Sequence, residues 1–216
     1  MNIDVKEIVD INHTLSKDYF FRYDNIEDII SNINSYVIEL GNRLDKNKYR
    51  IIGDNIWVGN DVMIDDSVKI IGPCIIDDGS FIKHGAYIRE GVIIGKRCEI
   101  GNSCEVKNSI IFDDCFISHF NYVGDSIIGY KSHMGAGSVI TNLRLDKKDI
   151  IIKNGNEIIN TNLNKMGAII GSSVEIGANS VICPGTIIGS NSIIYPLVKV
   201  SGVISANSFI KDSKKI

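Results

Sequence analysis

The chain has 216 residues, 44% of them hydrophobic, enough for a sizeable core in one domain or one and a half. Its formal net charge of −3 argues against a nucleic-acid or membrane-surface protein, since an acidic surface attracts neither partner. No apolar run approaches the roughly 20 residues that span a bilayer. The charged start Met1-Asn2-Ile3-Asp4 lacks a signal-peptide core, and five cysteines without a CxxC predict reduced thiols in the cytoplasm.

The first predicted element is a helix over residues 24–44. Asp24 and Glu27 stand in capping-box spacing, and Ile26, Ile29, Ile30, Ile33, Val37, Leu40 and Leu44 share one face. We expect this helix to lie in an N-terminal cap, residues 1–48, that covers the open edge of the first coil of a repeat region.

From Ile52 a large apolar residue recurs every sixth position: Ile52, Val58, Ile64, Ile70, Ile76, Ile82, Ile88, Ile94, Ile100, Val106, Phe112. The frame returns at Ile170, Ile176, Ile182, Ile188, Ile194 and Val200. Four places after each comes a second, often smaller residue, such as Val62, Cys74, Ser80, Ala86, Cys98 and Cys104. Period six is neither helix nor ordinary sheet. It fits a short strand plus a corner, three units to a triangular coil of 18 residues, with Gly, Asn or Asp tolerating the positive φ of the turns. This is the pattern of an all-β, parallel β-helix of hexapeptide repeats, spanning 49–212. A left hand is expected from the known hexapeptide class, against the usual crossover rule. The cysteines at the small positions are read as buried, inert thiols.

An insertion, residues 143–167, interrupts the repeat, and Ile150–Ile159 reads as a β-hairpin turning at Asn154-Gly155. Long side loops usually serve a site or an interface. Just before it, the interior residues run Ile117, Val123, Ile128, Met134 and Ile140 after Phe112, so the spacing shortens to five twice. Functional residues are expected where a regular scaffold breaks its own rule. His119 lies there, two places beyond an inward residue and so pointing outward. Arg89 and Lys107 each follow an inward residue and are 18 residues apart, one full coil. Their cations should stack about 4.8 Å apart, which needs an anion nearby; a phosphate suits an Arg fork and a Lys point charge.

The segments Arg89-Glu90-Gly91, Glu105-Val106-Lys107-Asn108-Ser109, His119-Phe120-Asn121-Tyr122-Val123-Gly124-Asp125, Gly135-Ala136-Gly137-Ser138 and Thr141-Asn142 together resemble the acetyltransferase domain of the bifunctional N-acetylglucosamine-1-phosphate uridyltransferase. The resemblance covers roughly residues 50–210. It implies that His119 is the general base toward the amine of glucosamine 1-phosphate. It implies further that Arg89, Lys107 and Tyr122 hold the sugar phosphate, and that Asn142 lies beside the reacting amine and thioester. Ala136, Ala178 and Pro196 fall at positions that contact acetyl-CoA, the co-substrate. The family forms homotrimers with sites between subunits and uses no metal. His133 stands where the family has an asparagine that contacts the sugar. After Asn142 the family continues Tyr-Asp-Gly and a lysine, whereas this chain has Leu143-Arg144-Leu145-Asp146, with Lys147 and Lys148 as the nearest substitutes. About 50 residues precede the repeat, so no nucleotidyltransferase domain is expected.

The expected function is therefore an acetyl-CoA-dependent N-acetyltransferase acting on an amino-sugar phosphate in nucleotide-sugar synthesis. Two other readings compete. A metal-dependent γ-type carbonic anhydrase of the same fold needs three histidines converging at a subunit interface, and only His13, His84, His119 and His133 exist, with His13 outside the coils. A non-catalytic β-helix could instead regulate or assemble a separate sugar-1-phosphate nucleotidyltransferase.

Overall fold

The structure is a computed structural model and describes residues 3–212. Parallel strands of two to seven residues wind into a β-helix whose coils stack in register. Each coil has three faces. The first carries Met63–Ile64, Phe81–Ile82, Glu99–Asn102, Phe116–His119, His133–Met134, Glu175–Ile176, Ile193–Ile194 and Phe209–Ile210. The second runs from Lys69–Ile70 through Tyr87–Ile88 and the starts of Glu105–Ile111 and Tyr122–Ile128 to Val139–Ile140, Val181–Ile182 and Lys199–Val200. The third runs from Ile56–Val58 through Cys74–Ile76 and Val92–Ile94 to Ala168–Ile170, Thr186–Ile188 and Val203–Ile204.

The six-residue frame fills the interior as expected, with Val58, Ile76, Ile82, Ile88, Ile94, Ile100 and Val106 wholly buried and Cys74, Ala86, Cys98 and Cys104 at the smaller positions. Asp and Ser residues with positive φ, such as Asp61, Ser103 and Asp114, turn the corners. Two parts of the frame differ from the sequence reading. Ile52 is half exposed because Arg50–Gly53 pairs antiparallel with Ile56–Val58, outside the coils. Ile111, not Phe112, points inward, so the two five-residue steps are Val106 to Ile111 and Val123 to Ile128. Phe112 instead packs outward against Phe20, ring centroids 5.6 Å apart.

The third face is buried on both sides. Its outward column of Trp57, Ile75, Ile93, Ile110, Ile127, Ile169 and Ile187 forms a second core with the N-terminal segment and the hairpin. A strand covered on both faces reads as an apolar run, and here it reads as repeated Ile-Ile pairs. The N-terminal residues therefore lie along this flank rather than closing the end of the first coil as expected. They also form two helices instead of one: α1, Ile26–Ser31, and α2, Ile33–Arg43. Between them, the Asn32 side chain donates to the Asp28 carbonyl at 2.9 Å and competes with the backbone ladder. Asn25, not Asp24, caps α1 by accepting the Asp28 N–H at 2.8 Å.

The insertion contains the expected hairpin, Ile151–Asn154 against Glu157–Asn160. The pairing of Asn154 with Glu157 makes Gly155-Asn156 the two-residue turn, one place later than read. Ile150 and Ile152 are fully buried in the second core, and Asn162 donates to Glu27 of α1 at 3.0 Å. The loop thus folds onto its own chain.

Candidate functional site

The register of the first face fixes one column of the site. Ile117 lies beside Met134, Met134 beside Ile176, and Ile176 beside Ile194. His119, Ala136, Ala178 and Pro196 each stand two residues further on, so they stack one above another at the corner joining the first and second faces. Backbone bonds run up this corner, from Gly137 N–H to the His119 carbonyl at 2.9 Å and from Asn179 N–H to the Ala136 carbonyl at 2.9 Å. Asn121 secures it: its buried side chain accepts the His119 N–H at 2.9 Å and donates to the Gly135 and Ser138 carbonyls at 2.8 and 2.9 Å. Phe120, between them, takes the left-handed φ of 54° that the tight turn needs. The His119 ring is left exposed to solvent.

Three residues on, the second face carries a polar cluster. Val106 pairs with Ile88, which places Lys107 directly beside Arg89, as the 18-residue spacing predicts. The anions that permit this stacking come from the chain itself. Arg89 donates to Glu105 at 3.0 Å and more distantly to Glu90 at 3.5 Å, and the Lys107 Nζ stands 3.9 Å from Asp125 Oδ1. The grip on Arg89 is incomplete, since its buried Nε has no hydrogen-bond partner among the described residues.

Asp125 is the centre of this cluster and was not singled out from the sequence. It is only 5% exposed. It accepts from Asn108 Nδ2 at 2.9 Å and closely from Asn142 Nδ2, in addition to facing Lys107. Asn142 Nδ2 also donates to the Tyr122 hydroxyl at 3.1 Å, which leaves the phenolic proton free to serve as a donor. Burial, with help from Asp125 and Glu105, pushes the Tyr122 pKa up and keeps that proton in place. The structure therefore joins Lys107, Tyr122 and Asn142 in one network through Asp125, with Arg89 beside it on its own carboxylates Glu105 and Glu90. The only signal for Asp125 was its place in the His-x-x-Tyr-x-Gly-Asp block.

His133 belongs to a different grouping. It faces outward from the first face, where its Nε2 meets Ser118 Oγ at 2.8 Å and its Nδ1 meets Glu175 at 2.9 Å. It lines a groove of about 280 Å³ with Gly135, Glu175, Gly177, Ala178 and Pro196. Two of the three positions expected to contact coenzyme thus share a cavity with His133, and the third, Ala136, is next to Gly135 on its rim. Neither the Ala136 nor the Ala178 N–H has a hydrogen-bond partner among the described residues. Lys147 and Lys148 lie on the exposed loop after Asn142, outside these contacts. No group of three or more His, Cys, Asp or Glu that could hold a metal ion lies together among the described residues of one chain. No helix there is long and apolar enough to cross a membrane.

Fold and repeat define a parallel β-helix of hexapeptide units, and residues 167–202 match the family described as bacterial transferase hexapeptide (six repeats). Residues 70–163, which hold most of the cluster, match the GMPPB C-terminal domain. The chain's relatives are GlmU-type bifunctional proteins that match about half of it. A bifunctional sugar-1-phosphate nucleotidylyltransferase/acetyltransferase of Sulfurisphaera tokodaii is 36% identical over 103 residues, 48% of this chain and 26% of the relative. The bifunctional protein GlmU of Methanococcus maripaludis is 37% identical over 102 residues, 47% of this chain and 25% of its own. The matched segment is thus about a quarter of the length of these relatives. Among solved structures, the N-acyltransferase AntD of Bacillus cereus, crystallised with dTDP and 3-hydroxybutyryl-CoA, is 16% identical with a TM-score of 0.44, over 76% of this chain and 82% of that one.

Proposed function

We propose that the chain is an acetyl-CoA-dependent N-acetyltransferase acting on an amino-sugar phosphate, with glucosamine 1-phosphate as the first candidate. The observation that carries this reading is the juxtaposition of two arrays. The His119, Ala136, Ala178, Pro196 column borders the face that holds Arg89, Lys107, Tyr122 and Asn142. The name of the Sulfurisphaera tokodaii relative, a sugar-1-phosphate nucleotidylyltransferase/acetyltransferase, agrees with it.

In this mechanism the substrate arrives as an ammonium ion, which has no lone pair to attack with. A histidine, with an ordinary pKa of about 6.5, is suited to removing the proton, and exposed His119 is free to do so. The amine then attacks the thioester carbonyl, and the unpartnered Ala136 N–H is placed to stabilise the oxyanion. Collapse breaks the C–S bond, the proton held by His119 passes to the leaving thiolate, and the second proton of the former amine is lost to water as the amide is completed. Arg89 and Lys107 take the phosphate in exchange for Glu90, Glu105 and Asp125. The protein acts in the cytoplasm as a homotrimer, in which a neighbouring copy completes the site at the His119 corner.

Purified protein given acetyl-CoA and glucosamine 1-phosphate should release free CoA thiol, and His119→Ala should abolish the release. A wild-type protein that binds CoA yet is inert toward a panel of amino-sugar phosphates overturns the reading. One observation favours the alternative of a non-catalytic partner subunit: in the loop after Asn142 the first cation is spent internally, Arg144 forking onto Asp146 at 2.8 and 2.7 Å, and Lys147 and Lys148 stay on the exposed part. Calorimetry with CoA alone separates the two, since a scaffold has no need to bind it.

A further inference from the structure

The contacts of His133 are more specific than a surface histidine requires. Glu175, 2.9 Å from Nδ1, favours the tautomer that carries its proton there, in which Nε2, 2.8 Å from Ser118 Oγ, accepts the serine hydroxyl proton. Serine, histidine and carboxylate in that order and orientation are the parts of an activated nucleophile, recognised by geometry and not by sequence order. The three come from successive coils. Phe116 pairs with His133 and His133 with Glu175, while Ser118, two places along from Phe116, lies diagonally from the imidazole. Gly135 and Gly177 line the apolar groove that opens beside the histidine, and a Cβ at either would collide with the backbone of the next coil, 2.8 Å from Ala178 N and closer still to Pro196 N respectively. At the rim of that groove the Ala136 N–H is unpartnered. A nucleophile, its base, the carboxylate that orients the base, a free N–H donor and an apolar cleft thus meet on one face.

We propose that Ser118, His133 and Glu175 form a second catalytic centre that accepts an acyl group from a thioester held in this groove and passes it to water. In the first step Ser118 Oγ bonds to the acyl carbon and the C–S bond breaks. His133 Nε2 takes the serine proton and returns it to the thiolate, which leaves as a free thiol. In the second step water bonds to the acyl carbon and the C–Oγ bond breaks. The water proton passes through His133 back to Ser118, and a carboxylic acid departs. The centre rests on the proposed N-acetyltransfer for the assignment of the groove to a thioester and shares its Ala136 N–H, but it needs neither the amine nor His119.

The fold supplies an internal control. Ser67 Oγ meets His84 at 2.6 Å, but through Nδ1, and His84 has no carboxylate partner among the described residues. The test uses an alkyl fluorophosphonate, in which Oγ–P bond formation expels fluoride, with the modified residue read by peptide mass spectrometry. Ser118 should be labelled and Ser67 should not. His133→Ala should slow labelling at least about a hundredfold, and Glu175→Gln, a change at an exposed position that leaves packing intact, should slow it measurably. Incubation with acetyl-CoA and no amine should release thiol slowly and add one acetyl group to Ser118. Failure of Ser118 to label, or equal labelling of Ser118 and Ser67, overturns the proposal. Neither result bears on N-acetyltransfer, which is read by thiol release that depends on the amine.

Discussion

Single residues show how the chain spends its buried charge. Asp125, only 5% exposed, accepts from Asn108 and Asn142 and faces Lys107 at 3.9 Å, while each amide keeps a longer second bond, to the Ile30 carbonyl at 3.3 Å and the Tyr122 hydroxyl at 3.1 Å. Asp125→Ala would leave the Lys107 ammonium without its carboxylate and the two amides with only their longer bonds, a loss of about 1–3 kcal/mol on the scale of unsatisfied buried groups. Denaturant unfolding should show the midpoint shift, and an unchanged midpoint would mean that water replaces the carboxylate. The cysteines make a second case. Cys74, Cys98, Cys104 and Cys115 are buried and Cys183 is not. Burial raises the thiols of Cys74 and Cys104, and burial with the adjoining Cys115 raises that of Cys98, which suppresses the nucleophilic thiolate. Burial raises the Cys183 thiol as well, so access and not acidity sets it apart: iodoacetamide near pH 8 should modify native protein at the half-buried Cys183 alone, and alkylation of any of the other four in the folded state contradicts this. The small-position rule placed Cys74, Cys98 and Cys104 correctly from sequence. It missed that Cys115 follows one shortened coil above Cys98, because that depends on where the frame slips.

At the scale of elements, periodicity located the helical region and the hairpin but could not say what either one covers. An amphipathic face states that it will be buried, not against which partner. In the folded chain α2 lies on the third face, and Gly41 packs so tightly on Trp57 that any Cβ there would overlap the indole. Gly41→Ala should destabilise the protein by about 1–3 kcal/mol through overpacking, although alanine is the better helix former. A stabilised variant in thermal unfolding would show that the indole yields. The break between α1 and α2 was not legible, because Asn32 is tolerated in either conformation and only its bond to the Asp28 carbonyl settles the choice. The assignment of Phe112 to the interior failed for a related reason. Ile110, Ile111 and Phe112 are all apolar, and where both sides of a strand are buried, hydrophobicity no longer marks which side faces in.

Over the whole molecule there are two cores: one inside the coils, and one between the third face and the covering segments. The outer core makes the N-terminal residues integral to the fold. They are tied to distant coils by Ser190 Oγ–H to the Ile8 carbonyl at 2.8 Å and by Asp113 N–H to the His13 carbonyl at 3.0 Å. Deletion of residues 1–44 would expose a stripe from Trp57 to Ile187, well beyond the patches that single soluble chains tolerate. The truncated chain should aggregate or bind a hydrophobic dye, and a monodisperse product by size-exclusion chromatography would contradict the two-core description. The same covering leaves the first and second faces open on either side of the His119 corner, where the proposed homotrimer places its contacts. Light scattering of the intact chain tests that assembly.

The six-residue period by itself determined the parallel β-helix, its inner core, the outward direction of His119 and the stacking of Arg89 on Lys107. These follow because a fixed period carries each side chain to a fixed face and column. What lay beyond one period was decided only in three dimensions. His133 and Glu175 are 42 residues apart and become neighbours because the intervening hairpin loops out to one side. Asp125 gathers its partners only after the frame has twice lost a residue, and the Ile-Ile column finds its cover in a segment whose sequence shows amphipathicity but no destination. The period specifies contacts between successive coils, whereas insertions, slips and covering elements bring together residues that no local spacing relates.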